Sequence, residues 1–262
     1  MDLGQIQRVG IAAAYRSAEI LRSRFGKLSD IRKKGAIDLV TEADIASEQC
    51  IIETIRATYP DHSILAEESG VDQGVSDHLW LIDPLDGTTN FAHQLPVYAV
   101  SIAFAVDGKP VVGVVLNPVS GELFTAAAGS GALLNGRTVA VSEVNSLSDS
   151  LLVTGFPYDV REIPGPVMER LEKFLLASQS VRRLGSAALD LCYVACGRFE
   201  GYWEQHLKPW DIAAGALIAR EAGGAVTDFG KHPYTTEKLE ILATNGHIHD
   251  QMVALLALKD NL

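Results

Sequence analysis

Apolar and polar positions follow two rhythms along this chain, and the switch between them divides it. Near the start, Leu3, Ile6, Val9, Ala13, Ile20 and Leu21 recur at mostly helical spacing, predicting an amphipathic helix over residues 3–25. A polar, base-rich connection (27–34) leads to a second helix, which runs to about Thr58 before Tyr59-Pro60-Asp61 breaks it. Short apolar runs then predict strands at 63–66, 78–82, 98–106, 110–116 and 122–127. Asp107-Gly108 and Ser120-Gly121 read as the turns of an antiparallel meander. Gly129-Ser130-Gly131 and Asn135-Gly136 read as further hairpin turns, since no G-x-x-x-x-G-K-[ST] phosphate loop contains them.

From about Val144 strands and helices alternate. Strands are predicted at 150–154, 181–184, 199–204 and 240–244. Helices are predicted at 166–177, from Gly185-Ser186-Ala187 to Cys196, from Pro209 to about Ala222, and at 249–258, with Pro209 suited to a first helical turn. With no internal repeat and no long linker, the pattern divides into an α+β portion, residues 1–145, and an α/β portion, residues 146–262, sharing one interface.

One stretch carries more than pattern. The 78–82 run ends on Asp83, and Pro84 biases Asp83 towards extended backbone, so the strand is expected to stop there. Asp86-Gly87 is a favoured turn pair, and Thr88 and Thr89 open a short helix through Asn90, Phe91 and His93. Two carboxylates would then flank a helix start whose N–H groups point outwards, which suits a hard cation and a phosphate together. A plain Asp-Gly turn is the simpler reading of the same residues. The 63–66 strand also ends on acids, Glu67-Glu68, and neighbouring strand ends would bring the two sets together. Thr41 with Asp44 three residues on has the form of a capping box, giving Asp44 a local structural role.

Composition narrows the classes. With 47% hydrophobic and 21% charged residues, the 262-residue chain reads as one large soluble domain or two closely packed subdomains. A net charge of −11 and a pI near 5.1 argue against binding nucleic acid or anionic membranes, despite Arg182-Arg183. Clustered acids also fit a site that takes up divalent cations. Cys50, Cys192 and Cys196 form no C-x-x-C pair and read as structural thiols. His247 and His249 read as a capped, solvated turn rather than metal ligands. No apolar run approaches the ~20 residues of a membrane span, and Met1 to Gln5 lacks the opening of a secretory leader. A cytoplasmic location is expected.

Four acids stand at the ends of predicted elements: Glu67, Asp83, Asp86 and Asp211. Oxygen-only ligands favour Mg²⁺ or Mn²⁺ over zinc. Carboxylates sharing cations, with Gly87 and Thr88 amides at a helix start, suit metal-assisted phosphoester hydrolysis by an activated water, without a covalent intermediate.

The string Asp83-Pro84-Leu85-Asp86-Gly87-Thr88-Thr89-Asn90-Phe91 resembles the first signature of the inositol monophosphatase family, and Trp210-Asp211-Ile212-Ala213-Ala214-Gly215 its second. Glu67-Glu68-Ser69 and Asp38-Leu39-Val40-Thr41-Glu42-Ala43-Asp44 stand where the family has its other acidic motifs, so the resemblance covers nearly the whole chain in order. The stretch from Arg182 to Asp190 looks most like the bacterial and plastid members.

The resemblance implies a layered α/β/α/β/α sandwich of the sugar-phosphatase type, a homodimer, and lithium sensitivity. It also implies two to three Mg²⁺ ions, with Mn²⁺ a possible substitute. Glu67, Asp83 and the Leu85 carbonyl would hold the first ion, with Glu67 also near a weak third; Asp83, Asp86 and Asp211 would hold the second. Asp44 and Thr88 would orient and help deprotonate the attacking water, which overrides the purely structural role for Asp44. Gly87 and Thr88 amides would bind phosphate, and Glu204 the inositol hydroxyls. Gly185, Ser186 and Ala187 would line the pocket, with Arg183 as a substrate or dimer contact and Lys33 as a base near the metals. Residues 205–210 vary among relatives, which hydrolyse fructose 1,6-bisphosphate, 3′-phosphoadenosine phosphates, NADP or histidinol phosphate; chain length and Glu204 favour inositol monophosphate. A protein-partner role in transcription is the expectation of a different class.

Overall fold

The computed structural model describes residues 1–27, 31–33, 39–72, 74 and 77–258, without the side chains of Lys33 and Asp72. In chain order the elements are α1 (Leu3–Arg24), β1 (Ile31–Lys33), β2 (Leu39–Thr41), α2 (Glu42–Arg56), β3 (Ser63–Ala66), β4 (Gly70–Asp72) and β5 (His78–Asp86). There follow α3 (Thr88–Ala92), β6 (Ala99–Val106), β7 (Lys109–Leu116), β8 (Leu123–Ala127), β9 (Ala132–Leu134) and β10 (Arg137–Val139). The second half holds β11 (Leu151–Thr154), α4 (Pro164–Ala177), β12 (Ser180–Arg182), α5 (Ala187–Ala195) and β13 (Gly201–Gln205). It closes with α6 (Pro209–Glu221), β14 (Ala225–Thr227), β15 (Glu240–Thr244) and α7 (His249–Leu256).

These elements stack in five layers. α1 and α2 cover one face of an eight-stranded sheet of order β10-β9-β8-β7-β6-β5-β3-β4. α5 and α6 pack together against its other face and against a five-stranded sheet of order β12-β11-β13-β15-β14. α4 and α7 cover the far side of that second sheet. The α/β/α/β/α sandwich expected from the sequence is therefore the fold. Its middle core is continuous across both sheets, running from Leu81, Ala103 and Phe124 through Ala213, Ala214 and Leu217 to Val153, Tyr202 and Ala243. Small residues make the middle layer thin: a Cβ on Gly113 of β7 would come 2.8 Å from the Ala214 carbonyl of α6.

Local chemistry explains most element ends. Asp2 Oδ1 accepts from Gln5 N–H (3.0 Å) to cap α1. Thr41 and Asp44 form the expected capping box of α2, and Pro209 opens α6. The β6-β7-β8 meander is antiparallel, as the turns predict.

Three departures have physical reasons. β5 does not stop at Asp83 but runs to Asp86, because its register with β6 slips between Asp83↔Ser101 and Asp86↔Ala99. Pro84, which has no N–H to offer a ladder, lies in that bulge, where none is needed. The connection expected over 27–34 contains β1, which pairs antiparallel with β2; Lys34 and Asp38 lie outside the described residues. β4 and β14 are three residues each, too short to impose a period-two pattern.

His249 is not solvated. It is 5% exposed, with Thr244 Oγ1 2.9 Å from Nδ1 and Thr227 Oγ1 3.1 Å from Nε2. Thr227 donates its proton to the Asp228 carbonyl (2.7 Å), so it must accept from His249 Nε2–H. Nδ1 is then the acceptor for Thr244, and burial holds the ring's pKa below its ordinary value. The remaining histidine of the pair, His247, is exposed and 3.5 Å from Glu143.

Candidate active site

The bulge at the end of β5 turns Asp83 and Asp86 into a cavity of about 240 Å³. Glu67, just past the end of β3, reaches the same cavity because β3 and β5 are parallel neighbours, Ala66 opposite Ile82. Asp211, in the first turn of α6, closes the acidic wall. Leu85, Gly87, Thr88, Arg183, Gly185, Ser186, Ala187 and Glu204 also line it. Asp44 stands one step behind, its Oδ1 3.1 Å from Thr88 Oγ1. Lys33 is the remaining expected residue; its backbone lies in β1 and its side chain is outside the described residues.

Three of the acids are held by hydrogen bonds from the chain. Asp83 Oδ1 accepts from Leu85 N–H (2.9 Å), across Pro84. Asp86 accepts from the start of α5: Ser186 Oγ (2.5 Å), Ala187 N–H (3.2 Å) and Ala188 N–H (2.8 Å). Asp211 Oδ2 accepts from Lys208 N–H (2.7 Å). The Thr88 hydroxyl has one proton and two acceptors, Asp44 Oδ1 and the Leu85 carbonyl (3.0 Å). Asp44 makes the capping contacts through Oδ2, which takes Thr41 N–H (2.8 Å) and the Thr41 hydroxyl (2.5 Å), while Oδ1 faces Thr88.

Electrostatics mark this wall as short of positive charge. Burial raises the Asp83 pKa well above the carboxylate range, and Glu67, Asp86 and Asp211 raise it further. Asp211 rises well above it for the same reasons, opposed by the Lys208 amide. Burial brings Asp86 to about 6, against the pull of Ser186, the α5 amides and Arg183. Among the described residues no three His, Cys, Asp or Glu side chains are gathered closely enough to hold a metal ion as they stand. The acids face a shared opening, three of them fastened to backbone amides. An all-oxygen, mutually repelling set of this kind fits hard divalent cations, which would relieve the repulsion.

Glu204, in β13, lines the same cavity. It is 8% exposed and accepts from the Tyr202 hydroxyl at 2.6 Å, and burial lifts its pKa to about 7. A Cβ on Gly155 would collide with the Glu204 carboxylate, so the bare backbone there is the surface on which that side chain lies. The 155–158 segment, Gly155-Phe156-Pro157-Tyr158, lines the rim with His206, Lys208 and Trp210, and sequence reasoning missed it. The usable signal was its position just beyond the carboxyl end of β11, where open α/β sheets bind ligands. Asn90 was also missed as a tie: its Nδ2 donates to the Val97 (2.7 Å) and Leu184 (2.9 Å) carbonyls, joining α3 to the Arg183–Gly185 strap. Asp190 of α5 is 1% exposed, and among the described residues neither carboxyl oxygen has a hydrogen-bond partner; burial, then Glu204 and Asp86, push its pKa far up.

Comparison with known proteins identifies the family and agrees with the fold. A profile of the inositol monophosphatase family matches residues 2–259. The inositol-1-monophosphatase of Synechocystis sp. is 52% identical over 259 residues, covering 98% of this chain and 90% of that protein. The Nus factor SuhB of Pasteurella multocida is 47% identical over 232 residues, 87% of each chain. The solved inositol monophosphatase of Anabaena (Nostoc) superposes with a TM-score of 0.90 at 45% identity, covering 98% of this chain and 96% of that one.

Proposed function

This chain belongs to the inositol monophosphatase family and is a phosphatase; from that premise we propose that it hydrolyses inositol monophosphate to inositol and phosphate, with Mg²⁺ as its metal. The observation that supports this reading is a single cavity shared by Glu67, Asp83, Asp86 and Asp211, by Gly87 and Thr88 at a helix start, and by Glu204. Glu67, Asp83 and the Leu85 carbonyl would hold one cation, and Asp83, Asp86 and Asp211 another, with Glu67 beside a third and Mn²⁺ a possible substitute. Such cations supply charge against the phosphoryl oxygens and make a water a better nucleophile.

The chain's own groups divide the remaining work. The Gly87 and Thr88 amides, at the positive end of α3, orient the phosphate. Thr88 and Asp44 share a proton position at Thr88 Oγ1, beside the cavity. Glu204, fixed by Tyr202, accepts from a sugar hydroxyl, and Arg183 at the exposed edge completes the grip. The cavity volume supports a small monoester over a dinucleotide. We carry forward, as part of the same proposal, a homodimer, lithium inhibition, a cytoplasmic location, no nucleic-acid or membrane partner, and the division at residues 145 and 146. No helix among the described residues is long and apolar enough to cross a membrane.

Phosphate release from inositol 1-phosphate, fructose 1,6-bisphosphate, 3′-phosphoadenosine 5′-phosphate and NADP, with and without Mg²⁺, tests this. Magnesium-dependent release favouring inositol 1-phosphate is expected, with Asp83→Asn losing roughly 10²–10³ in rate or more. Wild-type activity in folded Asp83→Asn protein would sink the reading. The relative named as a Nus factor supports a second role, as a protein partner in transcription. Pull-downs with wild type and Asp211→Asn separate the two, because a partner role tolerates loss of the metal.

A further inference from the structure

We propose that one face of α2 is the bracket that sets the separation between Glu67 and the Asp83–Asp86 strand end, and that Glu48 is its principal positioning residue. The inference rests on the metal reading of the site given above.

Asp44, Ser47 and Glu48 follow i, i+3, i+4 spacing, so they share one helix face. Each reaches a different segment of the site. Asp44 receives the Thr88 hydroxyl at the start of α3 (3.1 Å). Ser47 Oγ donates to the Pro84 carbonyl (2.8 Å), inside the bulge that turns Asp83 and Asp86 into the cavity. Its proton being spent there, Ser47 accepts from Ser17 Oγ (2.6 Å), which ties the bracket to α1. Glu48 accepts from Glu68 N–H at 2.8 Å through one carboxylate oxygen and from Ser69 N–H at 2.9 Å through the other.

The last contact is the informative one. The ladder between β3 and β5 ends at Ala66↔Ile82, with Glu67 N–H still reaching the Ile82 carbonyl (3.2 Å). Beyond that point the chain turns through Glu67, Glu68 and Ser69 into β4, so the sheet holds the two ends of the turn, Ala66 opposite Gly70, while the three residues between them lie outside the ladder. The two amides that follow Glu67 are gathered by one carboxylate that is only 3% exposed. A doubly used, charge-assisted acceptor of this kind is short and geometrically specific. It fastens the turn carrying Glu67 to the same helix that holds Pro84 and Thr88. The sheet places the ends of the turn, and the Glu48 carboxylate on the rigid helix sets how its middle, with Glu67, stands relative to the Asp83–Asp86 strand end. Glutamine cannot substitute, since it offers one acceptor and turns its NH₂ towards the other N–H.

The test uses the full chain and two readouts, Mn²⁺ binding by titration calorimetry and phosphate release as a function of Mg²⁺. Glu48→Gln is expected to weaken Mn²⁺ binding roughly 10–100-fold, the usual cost of losing an outer-shell partner. The half-saturating Mg²⁺ rises in parallel, while kcat at saturating Mg²⁺ returns to the wild-type level. A residue needed only for folding would lower Tm and kcat without moving the metal curve. Unchanged Mn²⁺ affinity, or a kcat that saturating Mg²⁺ does not restore, overturns the proposal. Glu67→Gln is the control. If it weakens Mn²⁺ binding and Glu48→Gln does not, the bracket is wrong; if neither does, the metal reading itself fails and the bracket with it. Should Glu48→Gln not fold, amide hydrogen exchange on the wild type decides: Glu68 and Ser69 must be protected, and exchange at free-peptide rates refutes the contact.

Discussion

Replacing Gly87 by alanine strikes the site through its backbone alone. Gly87 sits between Asp86 and Thr88 with φ +98°, a region that L-residues avoid. A Cβ there would lie 3.0 Å from the Val97 carbonyl, 3.1 Å from the Gly185 carbonyl and 3.3 Å from Tyr98 Cα, all backbone atoms. Left-handed backbone costs a non-glycine residue about 1–2 kcal/mol, and crowding in a packed region adds ~1–3 kcal/mol. The sum, roughly 2–5 kcal/mol, corresponds to a fall in Tm of roughly 5–15 °C for a chain of this size. Relief of the crowding must move Asp86 or Thr88, and a 1 Å misplacement of such groups costs about 10²-fold in rate. Gly121→Ala is the matched control, because its φ is +71° with nothing within 4 Å of the added Cβ. It should show the backbone cost alone and wild-type kcat. Thermal melts by circular dichroism and phosphate release at saturating Mg²⁺ read out both variants. Equal melting temperatures for the two, or unimpaired turnover by Gly87→Ala, would refute the reasoning.

Two further perturbations follow from the same coordinates. Asn90→Ala removes the tie between α3 and the Arg183–Gly185 strap and should cost about 1–3 kcal/mol in urea unfolding; Asn90→Asp, which sets a carboxylate against the Val97 and Leu184 carbonyls, should cost more, and the opposite order would refute the donor role. His249, buried and neutral, binds fewer protons folded than unfolded, so the stability it contributes is complete above the unfolded pKa near 6.5 and is lost as pH falls from there towards the depressed folded value. The drop in urea midpoint from pH 7.5 to 5.5 should therefore be smaller in His249→Gln than in wild type, and an identical drop would remove His249 from the account.

The parts of this molecule that were legible in the sequence are those where local chemistry leaves little choice. Gly87 and the pair of threonines punctuate the chain so strongly that the start of α3 is readable directly. The change from a meander to alternating strands and helices likewise divides the chain into its two portions, while the order of the layers came from the family resemblance. What could not be read depends on partners far away in the chain. β5 continues to Asp86 only because β6 offers a slipped register. Glu48 looks like any polar residue of an amphipathic helix until its carboxylate is seen under the Glu68 and Ser69 amides. His249 was misplaced on the surface because its two threonine partners come from β14 and β15, which share no local pattern with it. Gly155 carries no signal of its own, since its importance lies in the volume that Glu204 takes above it.

The thin middle layer has a consequence for how the protein comes together. α5 and α6 lie between two sheets, and the acid that binds the start of α5, Asp86, is 100 to 102 residues away in sequence from its partners there. Closing a loop of that length precedes any reward from the contacts it permits, so such contacts form late. Neither half can complete the cavity by itself, and a partly folded chain has exposed layer faces but no site. Gain of activity should consequently trail gain of secondary structure during refolding, with no half-active intermediate between them. Catalysis here is a property of the last step of assembly.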